Sequence, residues 1–159
     1  MTMDIYREDD LLSYFGSYIS KHGFVILALS GNQQGQYWFN LGDYRKAPDV
    51  IAVRDDVILV GEAKLKSREL FKDINGRPSD YQCLQYLIDN HCAKEQLSKK
   101  IIASLSQLGK IIEVLPPIQA LVVGGDSFDV LKNKMIDERI MCFTVDKITG
   151  NVVLNKFDD

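Results

Sequence analysis

The residues best suited to chemistry are Glu62 and Lys64, two apart at the end of the apolar run Val57-Ile58-Leu59-Val60-Gly61-Glu62-Ala63-Lys64. In a strand that spacing puts both side chains on one face, continuing the face that carries Ile58 and Val60. A carboxylate and an ammonium are costly to bury there unless they are paired, or unless metal or solvent reaches them. The plainer reading is a strand that emerges into water with an exposed ion pair. Asp49 shifts the balance. It opens the preceding run at Ala47-Pro48-Asp49-Val50, and a hairpin between the two runs brings the start of one strand beside the end of the other. Two carboxylates converging beside a lysine make a seat for a hard cation such as Mg²⁺, which takes oxygen ligands and keeps several waters when one or two carboxylates hold it. The lysine would then orient or help deprotonate an attacking water. Read structurally, Asp49 is a turn residue after proline.

Three further groups join this set. Advancing 100° per residue along the first helical stretch, Glu8 falls on the apolar stripe with Leu12, Phe15 and Ile19, whereas Asp10 does not. Glu8 is either a third acidic contributor or a first-turn residue stabilised by the helix dipole. Gln82 and Tyr86 are four apart on a later helix, so both can reach a phosphate or sugar while the tyrosine ring stacks on a base. An ordinary helix surface with a half-buried tyrosine fits them equally. Arg45 and Lys46 before the apolar runs, and Lys66, Arg68, Lys72 and Arg77 after them, make a local basic rim. Phosphate steering is its functional reading and a solvated loop its structural one.

The patterning supplies elements to hold these groups. Apolar residues at helical spacing predict a first helix from Asp4 to Lys21, closed by His22-Gly23. Phe24 to Ser30 reads as a buried strand, followed by a polar loop and the aromatic patch Tyr37-Trp38-Phe39. Asp49 to Val53 and Val57 to Ala63 flank the turn-type tripeptide Arg54-Asp55-Asp56 as a hairpin. Lys66 to Pro78 reads as a loop, with Ser79 or Asp80 capping a helical stretch from Tyr81 to Ile112 that breaks near Asn90-His91 and is terminated by Pro116-Pro117. Ile118 to Val123 is a further strand, Phe128 to Arg139 a helix, and Ile140 to Val145 and Asn151 to Phe157 two strands around Thr149-Gly150. This order predicts a single α/β domain over residues 1–159, a central mixed sheet flanked by helices.

Composition excludes several classes. The 159 residues carry a formal charge of -3, against bulk coating of nucleic acid or membrane by positive charge. Three cysteines without a C-x-x-C pair and two histidines leave a zinc site, a metalloprotease or a histidine-based hydrolase short of parts. An acidic beginning and the lack of any long apolar run lead us to expect no signal peptide, no membrane partner and a cytoplasmic location.

In combination these residues resemble the PD-(D/E)xK nuclease superfamily. Pro48-Asp49 and, thirteen residues on, Glu62-Ala63-Lys64 match its signature hairpin. Its restriction-endonuclease-like α-β-β-β-α-β core is similar to the order read from Asp4 to Val123. Gln82-Cys83-Leu84-Gln85-Tyr86 is similar to the Q-x-x-x-Y motif of the branch that includes helicase-associated recombination exonucleases, and Glu8 stands where many members have an acidic residue. The resemblance implies hydrolysis of DNA phosphodiesters with Mg²⁺, for which Mn²⁺ would substitute. It implies Asp49, Glu62 and the Ala63 carbonyl as metal ligands, Lys64 on the water, Glu8 assisting, and Gln82 and Tyr86 on the substrate; the basic rim residues Lys46, Lys66 and Arg68 join them in the phosphate-steering reading. The alternatives are a nuclease-fold subunit with weak or lost chemistry, assembling with helicase, repair or defence components, and a plain α/β interaction domain. A homodimer would suit the cutting of two strands, and the segment after Val123 carries no signature.

Overall fold

Continuous apolar runs become strands and 3.6-residue patterns become helices in a computed structural model that describes residues 7–29, 36–73, 75–110, 112–125 and 137–155. In chain order these are α1 (Glu8–Lys21), β1 (Val25–Leu29), β2 (Phe39–Leu41), β3 (Tyr44–Lys46), β4 (Val50–Val53), β5 (Ile58–Lys64), a 3-10 turn at Ser67–Phe71, α2 (Asp80–Asp89), α3 (His91–Gln107), β6 (Ile118–Gly124), β7 (Ile140–Val145) and β8 (Val152–Asn155). Six strands form one mixed sheet in the order β1-β4-β5-β6-β7-β8, and β2 and β3 form a separate hairpin. The β1–β4, β4–β5 and β7–β8 pairs are antiparallel, whereas β5–β6 and β6–β7 are parallel. The expected α/β architecture with a mixed, helix-flanked sheet is therefore present. Among the described residues no helix is long and apolar enough to cross a membrane.

Alternation along the central strands divides the core into two layers. Ile51, Val53, Ile58 and Val60 pack with Leu87 of α2 and Leu97, Ile101 and Leu105 of α3. Val50, Ala52, Leu59 and Ala63 pack on the other face with Leu11, Leu12, Phe15 and Ile19 of α1. The β4–β5 hairpin closes where the sequence places its turn. Arg54 and Val57 exchange backbone hydrogen bonds of 3.0 and 3.4 Å, and the Arg54 guanidinium holds the Asp56 carboxylate at 2.6 and 3.0 Å.

Some boundaries and elements differ from expectation. The helical stretch does break at Asn90, whose side chain accepts a hydrogen bond from the Ala93 N–H at 3.0 Å and so starts α3. It ends at Gln107, short of Ile112 and well before the prolines. Gly109 adopts φ +82°, a left-handed residue that stops the helix while the Lys110 N–H returns to the Leu105 carbonyl. The β2–β3 hairpin was not expected; each strand has three residues, too few to register as a periodic run. The loop after β5 contains the 3-10 turn, which buries Leu70. The expected helix over 128–139 lies outside the described residues up to 136, and residues 138–139 form a turn leading into β7. Residues 1–6 and 156–159, at the ends of the expected first helix and last strand, also lie outside.

Gly61 sits where β5 and β6 approach most closely. A Cβ there would stand 2.6 Å from the Leu121 carbonyl oxygen and also strike the Leu121 side chain. Gly61→Ala should therefore destabilise the fold by about 1–3 kcal/mol, the usual range for overpacking a tight core. In urea unfolding this appears as a lower midpoint with an unchanged slope.

Candidate functional site

Strand register explains why the acidic pair meets. Val50 is paired with Gly61, so the next position sets Asp49 directly opposite Glu62, with both side chains on the face of α2 and α3. Both are buried: Asp49 is 5% and Glu62 1% exposed. The Ala63 N–H donates to Asp49 Oδ2 at 3.0 Å, and the Asp49 carboxyl lies near enough to Glu62 to oppose its charge. Within a strand the N–H and C=O of one residue point the same way. The Ala63 carbonyl is thus aimed past the last β4–β5 pair toward Asp49, while the Lys64 carbonyl turns to β6 and accepts from the Gly125 N–H at 3.0 Å.

Two lysines and a further aspartate complete the cluster. Lys46, at the end of β3, places its ammonium 3.1 Å from Glu62 Oε1 and 2.6 Å from Asp80 Oδ1. Lys64 reaches Asp80 Oδ2 at 2.8 Å. Asp80, the first residue of α2, is therefore a clamp on both ammonium groups. Lys46 is thus the ion-pair partner of the buried Glu62 Oε1, an oxygen with no further hydrogen bond. Glu8, half-buried at the start of α1, faces Lys64 and Asp49 across the end of the sheet.

The charges sort by environment. Burial, then the neighbouring Asp49 carboxyl, pushes the Glu62 pKa well above the ordinary carboxylate value. Burial also raises Glu8, against the pull of Lys64. For Asp80, burial is outweighed by the two lysines, which hold its carboxyl below the ordinary value. For Lys46 and Lys64, burial opposes the charged form, but the carboxylates prevail and both are raised. Asp80 is thus the anion that secures both lysines, and Glu62 is the group whose charged form burial most disfavours.

The fit to a divalent cation follows from this donor set. Fully ionised, Glu8, Asp49, Glu62 and Asp80 outnumber the two ammonium groups by two charges, which one such ion would balance. The Glu62 and Asp49 carboxyl groups are hard oxygen donors, with Glu62 Oε1 already paired to Lys46. Among the described residues no three Asp, Glu, His or Cys side chains converge to make a metal site unaided. An ion here would therefore have two carboxylates and fill its remaining positions with water or backbone oxygen.

The other expected residues lie around this centre in different ways. Gln82 is engaged in capping α2: its Oε1 accepts from the Ser79 N–H at 3.0 Å while its own N–H donates to Ser79 Oγ at 3.2 Å. Tyr86 is half-buried against the α3-side core. Lys66 and Arg68 are exposed on the segment leaving β5. Lys46, expected on a basic rim, lies inside the cluster. Asp80 was read only as a capping candidate; its chemistry follows from its place opposite two lysines, and no spacing motif announces it.

No protein-family model matches the chain, and no curated protein matches it in sequence. Its structure is similar to that of an XisH family protein from Nostoc punctiforme PCC 73102, with 12% identity and a TM-score of 0.40 over 92% of this chain and 99% of that one.

Because the folded-state pKa of Glu62 lies above the ordinary 4.5, the native protein retains a proton that the unfolded chain has released between those two values. Stability contributed by this residue falls as pH rises through that window. Glu62→Gln removes the titration. Its stability relative to the parent should improve as pH is raised above 4.5, by up to about 1.4 kcal/mol per pH unit inside the window. Parallel denaturation curves across pH would instead show that Glu62 titrates normally.

Proposed function

We propose that the chain is a divalent-metal-dependent nuclease with a restriction-endonuclease-like core, hydrolysing DNA phosphodiesters with Mg²⁺ or Mn²⁺. The observation that carries this reading is the buried Asp49–Glu62 carboxyl pair beside Lys64 at one end of the sheet. An antiparallel β4–β5 hairpin, a parallel β6 and helices on both faces of the sheet support this reading, being compatible with the core that the resemblance implies. Asp49, Glu62 and the Ala63 carbonyl would hold the cation, which when bound offsets charge gathering at the attacked phosphate and acidifies a water.

The chain's own groups do the rest. Asp80 keeps Lys64 protonated, so Lys64 serves as an N–H donor that orients the water and faces the phosphate, in preference to a base that must first lose a proton. Glu8 faces Lys64 from the opposite helix layer and helps fix its direction. Lys66 and Arg68, exposed beside the exit of β5, are positioned to meet the DNA backbone, while Gln82 and Tyr86 lie on the same helix as Asp80.

A second reading draws on the contact between Lys46 and Glu62. An ammonium already seated on the buried carboxylate neutralises it, which suits a nuclease-fold subunit that binds DNA or assembles with repair, recombination or defence partners without cutting. A panel of linear, nicked, single-stranded and branched DNA separates the two. The nuclease reading expects metal-dependent cleavage that falls at least about 100-fold in Asp49→Ala and Lys64→Ala, roughly the scale of losing an oriented catalytic group. Binding with every substrate left intact selects the second reading.

Asp80→Asn offers a separate check. Loss of its charge lowers the Lys64 pKa, so the limb of the cleavage pH profile governed by Lys64 should move to lower pH. An unmoved profile with merely reduced protein stability would assign Asp80 a structural role alone.

A further inference from the structure

The β2–β3 hairpin carries two cation–aromatic arrangements that the catalytic cluster does not use. Arg45 lies 4.2 Å and Lys100 of α3 3.8 Å from the Trp38 ring centre, and Arg77 lies 5.6 Å from that of Tyr44. All are within cation–π range. Tyr44 is 39% exposed, and Arg45 and Arg77 are exposed. Covering Trp38 needs one cation and explains neither the second nor the open Tyr44 ring.

Alternation along β3 fixes the direction of this surface. Tyr44 and Lys46 share one face, about 7 Å apart, and Arg45 takes the other. Two independent contacts agree on that face, because Arg77 over Tyr44 and Asp80 on Lys46 belong to the same short segment entering α2. An exposed ring with the Arg77 guanidinium over it thus sits one same-face step from a lysine of the acidic cluster. In a chain of net charge -3, this exposed ring with its guanidinium is complementary to a phosphate backbone carrying unstacked bases. Cations resting on rings are also partly ordered before a ligand arrives, which reduces the entropy lost on binding.

We propose that the Tyr44 face of the β2–β3 hairpin, together with Arg77, is a platform for an unpaired nucleic-acid strand, with a base stacked on Tyr44 and the adjoining phosphate taken by Arg77. Its delivery of that strand to the acidic cluster rests on the nuclease reading; its binding does not. The platform prefers a frayed end, an overhang or a single strand to an intact duplex, because a base inside a duplex cannot present its face to Tyr44.

Fluorescence anisotropy in EDTA reads the platform without cleavage, using a labelled oligonucleotide of about 12 nucleotides, as deoxy and as ribo strand, against a duplex of the same sequence. The single strand should bind more tightly than the duplex, and the tighter of the two single strands identifies the sugar preferred. Tyr44→Leu should weaken single-strand binding about 10-fold, and Tyr44→Phe should restore it to within about 2-fold. Arg77→Gln should reduce the slope of log affinity against log salt by about 0.7, whereas Arg45→Gln, on the other face, should leave it unchanged. Tyr44 is at the surface, so thermal melting of Tyr44→Leu should match the parent. Duplex bound as tightly as single strand, or single-strand affinity unchanged in Tyr44→Leu, overturns the proposal. A protein that binds single strands but cleaves nothing overturns the nuclease reading and leaves the platform standing. One that cleaves with Tyr44→Leu indistinguishable from the parent in binding does the reverse.

Discussion

Setting Glu62 opposite Asp49 in the interior creates an electrostatic problem that the neighbouring elements are arranged to solve. The β4–β5 register forces the two carboxyl groups together, and burial removes the water that would separate their charges. Relief comes from the Lys46 ammonium of β3, which Asp80 at the start of α2 holds in place although its own charge acts against that of Glu62. The cluster thereby ties the hairpin, the central sheet and the second helix layer to one point. Apolar residues of similar volume would fill such a place at equal or lower free energy. Stability alone therefore gives no account of these charges, and their arrangement is better explained by what they can bind.

The sequence made the central hairpin legible because three signals agree there: continuous apolar runs, a polar turn tripeptide, and ionisable residues at the matching ends. Agreement across levels marks a specified structure. Asp49 and Glu62 could be paired on paper since antiparallel register is arithmetic. Glu8 could be turned toward the site because helical phase is arithmetic too. Lys46 and Asp80 could not. Lys46 looks like part of a basic run until β3 is known to exist, and a three-residue strand leaves no periodic trace. Asp80 carries the ordinary signature of a helix start, which masks its contact with lysines sixteen and thirty-four residues away. The helix boundary at Gly109 shows the same asymmetry, since a local glycine ended a helix that more conspicuous prolines seemed to terminate.

Net charge conceals a segregation. The acidic groups nearest the site are drawn inward, where two lysines partly balance them, whereas Arg45 and Arg77 stay at the surface against aromatic rings. A count of -3 averages an acid-lined inward pole, -2 when fully ionised, with a remainder of -1 in which Arg45 and Arg77 make a local cationic pole. A ligand meets the local field of each pole and not their sum, which is why a weakly acidic chain can still present a basic surface beside an acid-lined centre.

The β2–β3 hairpin is a two-stranded ribbon, marginal by itself, held to α3 by the Asn40 N–H on Gln96 Oε1 at 2.8 Å and by Tyr37 on Ser104 at 2.6 Å, with Phe39 and Leu41 buried beneath. Detaching it would leave every pair of the six-stranded sheet intact and yet withdraw Lys46 from Glu62. Docking of the ribbon and the charge on Glu62 are consequently two coordinates of one equilibrium. Any ion that displaces Lys46 from Glu62 loosens the ribbon by the same free energy with which the docked ribbon resists that ion, since such coupling is reciprocal.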